Sequence, residues 1–305
     1  MEITRTLRYL SSGEDVRWLK DWLFKNGFYS SKIKKITNSR YGGDTVKAVE
    51  AFQQKYNLTV DGIFGENSRE KLYNLLKPVE EQKVTVEYVT AKKYTRISKT
   101  VRNAINEALN SNKVDQIRKD VVLETLKYAT DASIASQFKY PSSLYIRGGN
   151  LYNKDLKLNV ISENYLNGGY KKTYASYCTN GRLEMMIKAV KDNPKITGAD
   201  CSGGIIGILR HFKLISKSTD ATANGLCGSG YSKTINKVDL VAGDFVGTNG
   251  HICLYVGGGY MVEWAGGEYG CQISKVSDRR CYSYTKKKLR KLGTCARYRR
   301  PKIYN

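Results

Sequence analysis

Asp200-Cys201-Ser202-Gly203-Gly204-Ile205-Ile206-Gly207-Ile208-Leu209 sets a cysteine directly after a good helix-capping residue. Ahead of it lies an apolar helical face of Ile205, Ile208, Leu209 and Phe212. A thiol in the first turn of a helix sits at the positive end of the helix dipole, which favours thiolate, the form that attacks a carbonyl carbon. Such a nucleophile needs a general base or ion-pair partner. The chain offers two histidines, His211 and His251. His211 follows Cys201 by ten residues on the same predicted helix, about 15 Å away at 1.5 Å per residue. That leaves His251 as the partner.

His251 opens an alternating run, His251-Ile252-Cys253-Leu254-Tyr255-Val256, followed by Gly257-Gly258-Gly259 and a second run, Tyr260-Met261-Val262-Glu263-Trp264. The pattern predicts a β-hairpin with the three glycines as its loop. Val256 then pairs with Tyr260, Cys253 opposes Glu263 and His251 opposes Ala265. His251 and Glu263 share a face as diagonal neighbours about 7–8 Å apart, near enough for a carboxylate to orient an imidazole. A loop one residue longer or shorter would turn Glu263 to the other face. Asp200 and Ser202, which flank the nucleophile, are candidate substrate contacts. The other six cysteines (178, 227, 253, 271, 281, 295) read as buried structural residues. The chain's odd total of seven and the lack of a C-x-x-C pair favour neither a disulfide framework nor a zinc site, so the expected chemistry uses no metal and no cofactor.

These residues carry a resemblance. Asp200-Cys201-Ser202-Gly203, Val241-Ala242-Gly243-Asp244-Phe245, His251 to Gly257 and Met261-Val262-Glu263 together resemble the NlpC/P60 family of cell-wall cysteine peptidases. The resemblance implies a papain-like α+β core, Cys201, His251 and Glu263 as the catalytic set, and hydrolysis of peptidoglycan stem peptides, commonly at the bond after γ-D-glutamate. Glu263 stands where the family usually has His. Tyr145-Ile146-Arg147-Gly148-Gly149 looks like the family's Y-x-W-G-G motif and makes Tyr145 a candidate substrate contact, but it lies about fifty residues before Cys201 instead of roughly ten.

The elements that must position this set form the second of two expected domains. Residues 1–78 read as a small all-α unit of three helices, from Val16, Leu19, Trp22 and Leu23, from Val46, Val49, Phe52 and Tyr56, and from Leu72, Leu75 and Leu76. Leu10 to Leu19, Gly43 to Gln53 and Val60-Asp61-Gly62-Ile63-Phe64-Gly65-Glu66-Asn67-Ser68 look like the peptidoglycan-binding domain family. Residues 79–113 show no sustained period and read as a linker with one strand and one short helix. Residues 114–305 read as the peptidase domain, opening on a helix over 114–138 and interrupted by a loop or insertion over 148–180.

The composition bounds the rest. A chain of 305 residues with 41% hydrophobic and 26% charged side chains is an ordinary folded protein, and its longest uncharged run, Phe245 to Val262, is too polar to span a bilayer. Met1-Glu2-Ile3-Thr4-Arg5 opens no secretory leader. The expectation is synthesis in the cytosol and action at the wall after holin-type release, or carriage on a phage-like particle. The net charge is +23, and twelve Lys/Arg against one acid after Cys271 place about half of it in the last 34 residues. A polyanionic partner is implied. Bacterial peptidoglycan with its anionic wall polymers fits both resemblances. A nucleic-acid binder would rest on charge alone, because no recognition motif for it is present. A catalytically silent wall-binding or baseplate protein is the other alternative.

Overall fold

The computed structural model describes residues 3–30, 33, 35–76 and 86–304. The chain forms two units, residues 1–84 and 85–305.

The first unit has three helices, α1 (Glu14–Lys25), α2 (Gly43–Lys55) and α3 (Glu66–Leu76). Their apolar stripes close on a core of Leu7, Val16, Leu19, Leu23, Tyr41, Val49, Phe52, Phe64 and Leu72. α1 starts after Gly13, without a side-chain cap. One side chain explains why two separate sequence motifs travel together. Gln53 on α2 accepts from the amides of Asp61 and Gly62 (3.0 and 2.9 Å) and donates to the Asp61 carboxylate (2.7 Å) and the Ile63 carbonyl (2.9 Å). The Asp61-Gly62 turn is therefore pinned to the helix. Gly62 is required there, since its φ is +66° and a Cβ would lie 2.6 Å from Val46.

The second unit begins earlier than the sequence suggests. The segment expected as linker carries α4 (Lys99–Leu109), capped by Ser98, with Val101, Ile105 and Leu109 buried in the unit's main core beside Val89, Tyr94 and Ile97. Residues 79–85 of that expected linker, and the expected boundary at 78, lie outside the described residues. The helix expected over 114–138 is shorter, α5 (Gln116–Leu126). Its continuation turns into β1 (Thr130–Asp131), which pairs parallel with a strand far along the chain, so sheet pairing overrides local helical spacing.

There follow β2 (Ser143–Tyr145), α6 (Arg182–Asp192), β3 (Thr197–Ala199), α7 (Cys201–His211), β4 (Ser232–Thr234), β5 (Phe245–Thr248), β6 (His251–Gly257), β7 (Tyr260–Ala265), β8 (Gly270–Lys275), β9 (Arg280–Ser283), β10 (Lys288–Lys291) and β11 (Arg297–Pro301). The main sheet runs β1-β8-β7-β6-β5-β11-β4, antiparallel except at β1. β9 and β10 form a separate hairpin, and β2 and β3 a separate parallel pair. The expected loop over 148–180 contains continuous helical turns over 163–173. Leu166 and Tyr170 from these turns fill a second core with Leu144, Ile146, Met186 and Ile196.

Candidate active site

Cys201 is the first residue of α7. Asp200 caps the helix, its Oδ1 accepting from the Gly203 amide at 2.7 Å. The helix presses close to its surroundings through three glycines. A Cβ on Gly203 would meet the Gly149 carbonyl oxygen at 2.0 Å, one on Gly204 the Trp264 ring at 2.2 Å, and one on Gly207 the Tyr152 amide at 2.5 Å. Trp264 belongs to β7, so the helix bearing Cys201 rests on the strand bearing Glu263.

The β6–β7 hairpin holds the expected register by a different route. Gly257 pairs with Tyr260, which leaves a two-residue loop of Gly258-Gly259 and corrects the expected Val256–Tyr260 pair. A one-residue shift of that kind would have flipped Glu263. A bulge between Tyr255 and Gly257 restores the count, so Tyr255 opposes Met261 and Leu254 opposes Val262. The positive φ values of Gly257 to Gly259 allow the turn, and α4 packs on it so closely that a Cβ on Gly257 would lie 2.3 Å from Ala108.

The outcome is an imidazole between a thiol and a carboxylate. His251 Nε2 lies 2.7 Å from Glu263 Oε2, and the ring also engages the Cys201 thiol. The Cys201 Sγ is 4.0 Å from the Gly250 carbonyl, just ahead of His251. Burial works to lower the His251 pKa, but the bonds to Cys201 and Glu263 outweigh it and carry it up to about 9. Burial would push the Glu263 carboxyl upward, yet His251 and Arg279 hold it well below the usual carboxylate range.

Arg279 is the residue that sequence reading missed. Its Nη2 and Nε donate to Glu263 Oε2 at 2.6 and 2.9 Å, and Nε also reaches Oε1 at 3.1 Å. Ser274 Oγ donates to Oε1 at 2.8 Å and Cys281 Sγ to the same oxygen at 3.5 Å. Arg279 Nη1 donates to the Leu292 carbonyl at 3.0 Å, and the Leu292 amide donates back to Arg279 O at 2.9 Å. In the sequence Arg279 is one of twelve basic residues in a charged tail, with nothing to mark it as buried. The ligand atoms of His251, Cys253 and Glu263 lie within 4.8 Å of one another, a spacing a metal ion could use. The guanidinium already on both Glu263 oxygens makes this an unfavourable cation site.

The remaining predicted site residues gather around the same helix end. β2 pairs in parallel with β3, setting Tyr145 opposite Ala199. The fifty-residue gap in sequence is thus a detour that returns to its starting point. The Gly148 amide donates to Asp200 Oδ2 at 2.9 Å, and the Asp200 amide to Gly149 O at 2.9 Å. Tyr145 is half-buried, stacked on Tyr177 at 6.5 Å, and is held above the usual phenol range by burial and by its nearness to Cys201 and Asp200. Both Asp200 oxygens are taken by protein donors, with Ser202 Oγ also donating to Oδ1 at 3.1 Å. Asp200 is therefore first a scaffold for the helix start. Beside it opens a cavity of about 350 Å³ walled by Gly148, Asn150, Asp200, Ser202, Asp220 and Thr222. His211 stacks on Tyr152 at 4.3 Å in the last turn of α7, away from Cys201. Asp244 of the Val241-Phe245 motif is buried and paired with Arg118 (2.9 Å) and Arg300 (3.0 Å), a structural role.

Residues 12–72 match the family described as "Putative peptidoglycan binding domain". Two curated relatives, both named spore cortex-lytic enzyme, come from Bacillus cereus, one of them from strain ATCC 14579. Each is 37% identical over 67 residues, which is 22% of this chain and 24% of the relative. The chain spans about a quarter of the length of these relatives. No solved structure matches it. No described helix is long and apolar enough to cross a membrane.

Proposed function

We propose that the protein is a peptidoglycan hydrolase. Its first unit binds the wall, and its second cuts stem peptides with Cys201 as nucleophile, His251 as acid and base, and Glu263 as the group that orients and charges the imidazole. The observation that carries this reading is the position of His251, 2.7 Å from the buried Glu263 carboxylate and engaged with the thiol at the start of α7. A helix bearing the nucleophile packed on an antiparallel sheet bearing the base supports the papain-like arrangement that the NlpC/P60 resemblance implies. The match over residues 12–72 supports the choice of substrate.

The chemistry follows from the geometry. The Cys201 thiolate adds to the scissile carbonyl, and backbone N–H groups at the α7 start, among them that of Cys201, stabilise the oxyanion. His251 gives its proton to the leaving amine as the C–N bond breaks, leaving an acyl-enzyme. The neutral imidazole then takes a proton from water as it attacks the thioester, and the thiolate departs. The bond after γ-D-glutamate is the proposed cleavage point.

Turbidity loss of purified Gram-positive cell walls, with mass analysis of the released fragments, tests this directly. The wild type should clear the walls and release peptide fragments. Cys201→Ala should lose lysis by several orders of magnitude and still sediment with walls. Lysis by that variant removes the proposed mechanism. Wall binding by the wild type without any fragment release would instead identify a binding protein that keeps the peptidase framework.

A further inference from the structure

The carboxylate of Glu263 presents a physical problem that the triad alone does not solve. It is entirely buried, with a side-chain exposure of 0%. While His251 is an imidazolium the two charges compensate each other, but the proposed cycle requires His251 to give up its proton to the leaving amine. At that point Glu263 would be a lone buried anion, which would either take a proton or swing from its place.

We propose that Arg279 is a positioning residue that keeps Glu263 charged and aimed at His251 in both protonation states of the imidazole. This rests on the hydrolase reading above. The guanidinium makes three contacts with the carboxylate at 2.6–3.1 Å, a planar fork that an ammonium cannot reproduce. Arg279 is itself fixed on Leu292, whose carbonyl accepts from its Nη1 and whose amide donates to its carbonyl, at the base of the β9–β10 hairpin. It is 9% exposed and shares Glu263 Oε2 with His251, so it acts through the carboxylate.

Other titratable groups face the same spot. His251 and Cys253 come from β6, Cys271 from β8, Cys281 from β9, and Cys295 from the segment before β11. Burial pushes the Cys253, Cys271 and Cys281 thiols well up, whereas Cys295 is drawn down by its hydrogen bond with Cys253. The experiment has to separate Arg279 acting on Glu263 from all of these.

The test measures kcat and KM against pH, on soluble muropeptides released from the same walls, for Arg279→Met, Arg279→Lys, Glu263→Gln and the double variant Glu263→Gln/Arg279→Met. Arg279→Met should lower kcat by about 10- to 100-fold with KM little changed. Its acid limb should move to higher pH, because Glu263 now takes a proton sooner. Arg279→Lys should keep the limbs of the wild type while losing at least several-fold in kcat, since charge is retained and the fork is not. In the Glu263→Gln background, Arg279→Met should move neither limb. An unmoved acid limb in folded Arg279→Met overturns the inference, as does a shift that persists without the carboxylate, which would mean direct action on His251 or on a thiol. If Arg279→Met does not fold, Arg279→Lys decides alone, and wild-type kcat in that variant overturns the inference. Cleavage by Cys201→Ala would instead remove the hydrolase mechanism itself, so the two failures are distinguishable.

Discussion

At the scale of single residues, the proposed chemistry depends on how strongly His251 holds its proton. Its folded pKa of about 9 lies above the ordinary histidine value of 6.5. A group raised on folding adds stability that is fully present below its unfolded pKa and is lost as pH rises through its folded one. The His251–Glu263 pair should therefore stabilise the fold below about pH 6.5 and cease to do so beyond about pH 9. In the proposed mechanism the same proton sets activity, so kcat/KM on a short stem peptide should hold up to about pH 9 and fall beyond it. A limb near 6.5 would show that the imidazole is unpaired in solution. Arg279 also alters what a Glu263 variant means. Glu263→Gln leaves a buried guanidinium without its anion, a loss on the order of 3–5 kcal/mol. Its activity is therefore interpretable only beside a melting curve. His251 and Cys201 were legible from residue type, spacing and elimination. Arg279 was not, because burial of one arginine among many comes from tertiary packing of the hairpin base, which has no local signature.

At the scale of elements, α7 and the β6–β7 hairpin were readable because helical spacing and strict alternation are strong local signals. The bulge that corrects the hairpin register is not, since it lies in the backbone between Tyr255 and Gly257, where α4 packs, and leaves no periodic signal. The one short helix expected in the linker is α4, but its place in the core is not legible, because its buried stripe is only three residues wide, Val101, Ile105 and Leu109, and its other contact face uses Ala104 and Ala108. The detour between Tyr145 and Asp200 looks like separation in the sequence, although β2 and β3 lie side by side. Close helix–strand contact makes a prediction at this scale. Gly204→Ala places a methyl group against the Trp264 ring and should cost about 1–3 kcal/mol through overpacking. Because the displaced element carries Cys201, kcat should fall more than tenfold even at temperatures where the variant remains folded, as monitored by circular dichroism. Full activity in a folded Gly204→Ala would show that the nucleophile's placement tolerates movement of its helix.

At the scale of the whole molecule, the +23 charge belongs to binding and encounter, not to the fold. The Lys286-Lys287-Lys288-Leu289-Arg290-Lys291 run forms the turn and second strand of the β9–β10 hairpin, exposed apart from Arg290. Attraction between exposed charges is screened over roughly 8 Å at physiological salt. Replacing Lys286, Lys287 and Lys288 with Gln should weaken retention on intact anionic walls severalfold at low ionic strength and little at high salt. Cleavage of a short soluble stem peptide should be unchanged. Retention that does not respond to these substitutions would make the run an ordinary solvated surface.

The seven cysteines are all free, six are buried, and Cys178 is partly exposed. Under the proposed mechanism a soluble alkylating reagent therefore meets two kinds of sulfur, the partly exposed Cys178 and a Cys201 that is buried but, beside His251, more nucleophilic than the other buried thiols. Each molecule carries its own calibration. The ratio of adducts at Cys201 and Cys178 in one digest reports the fraction of a preparation with an assembled site, whatever the total protein concentration.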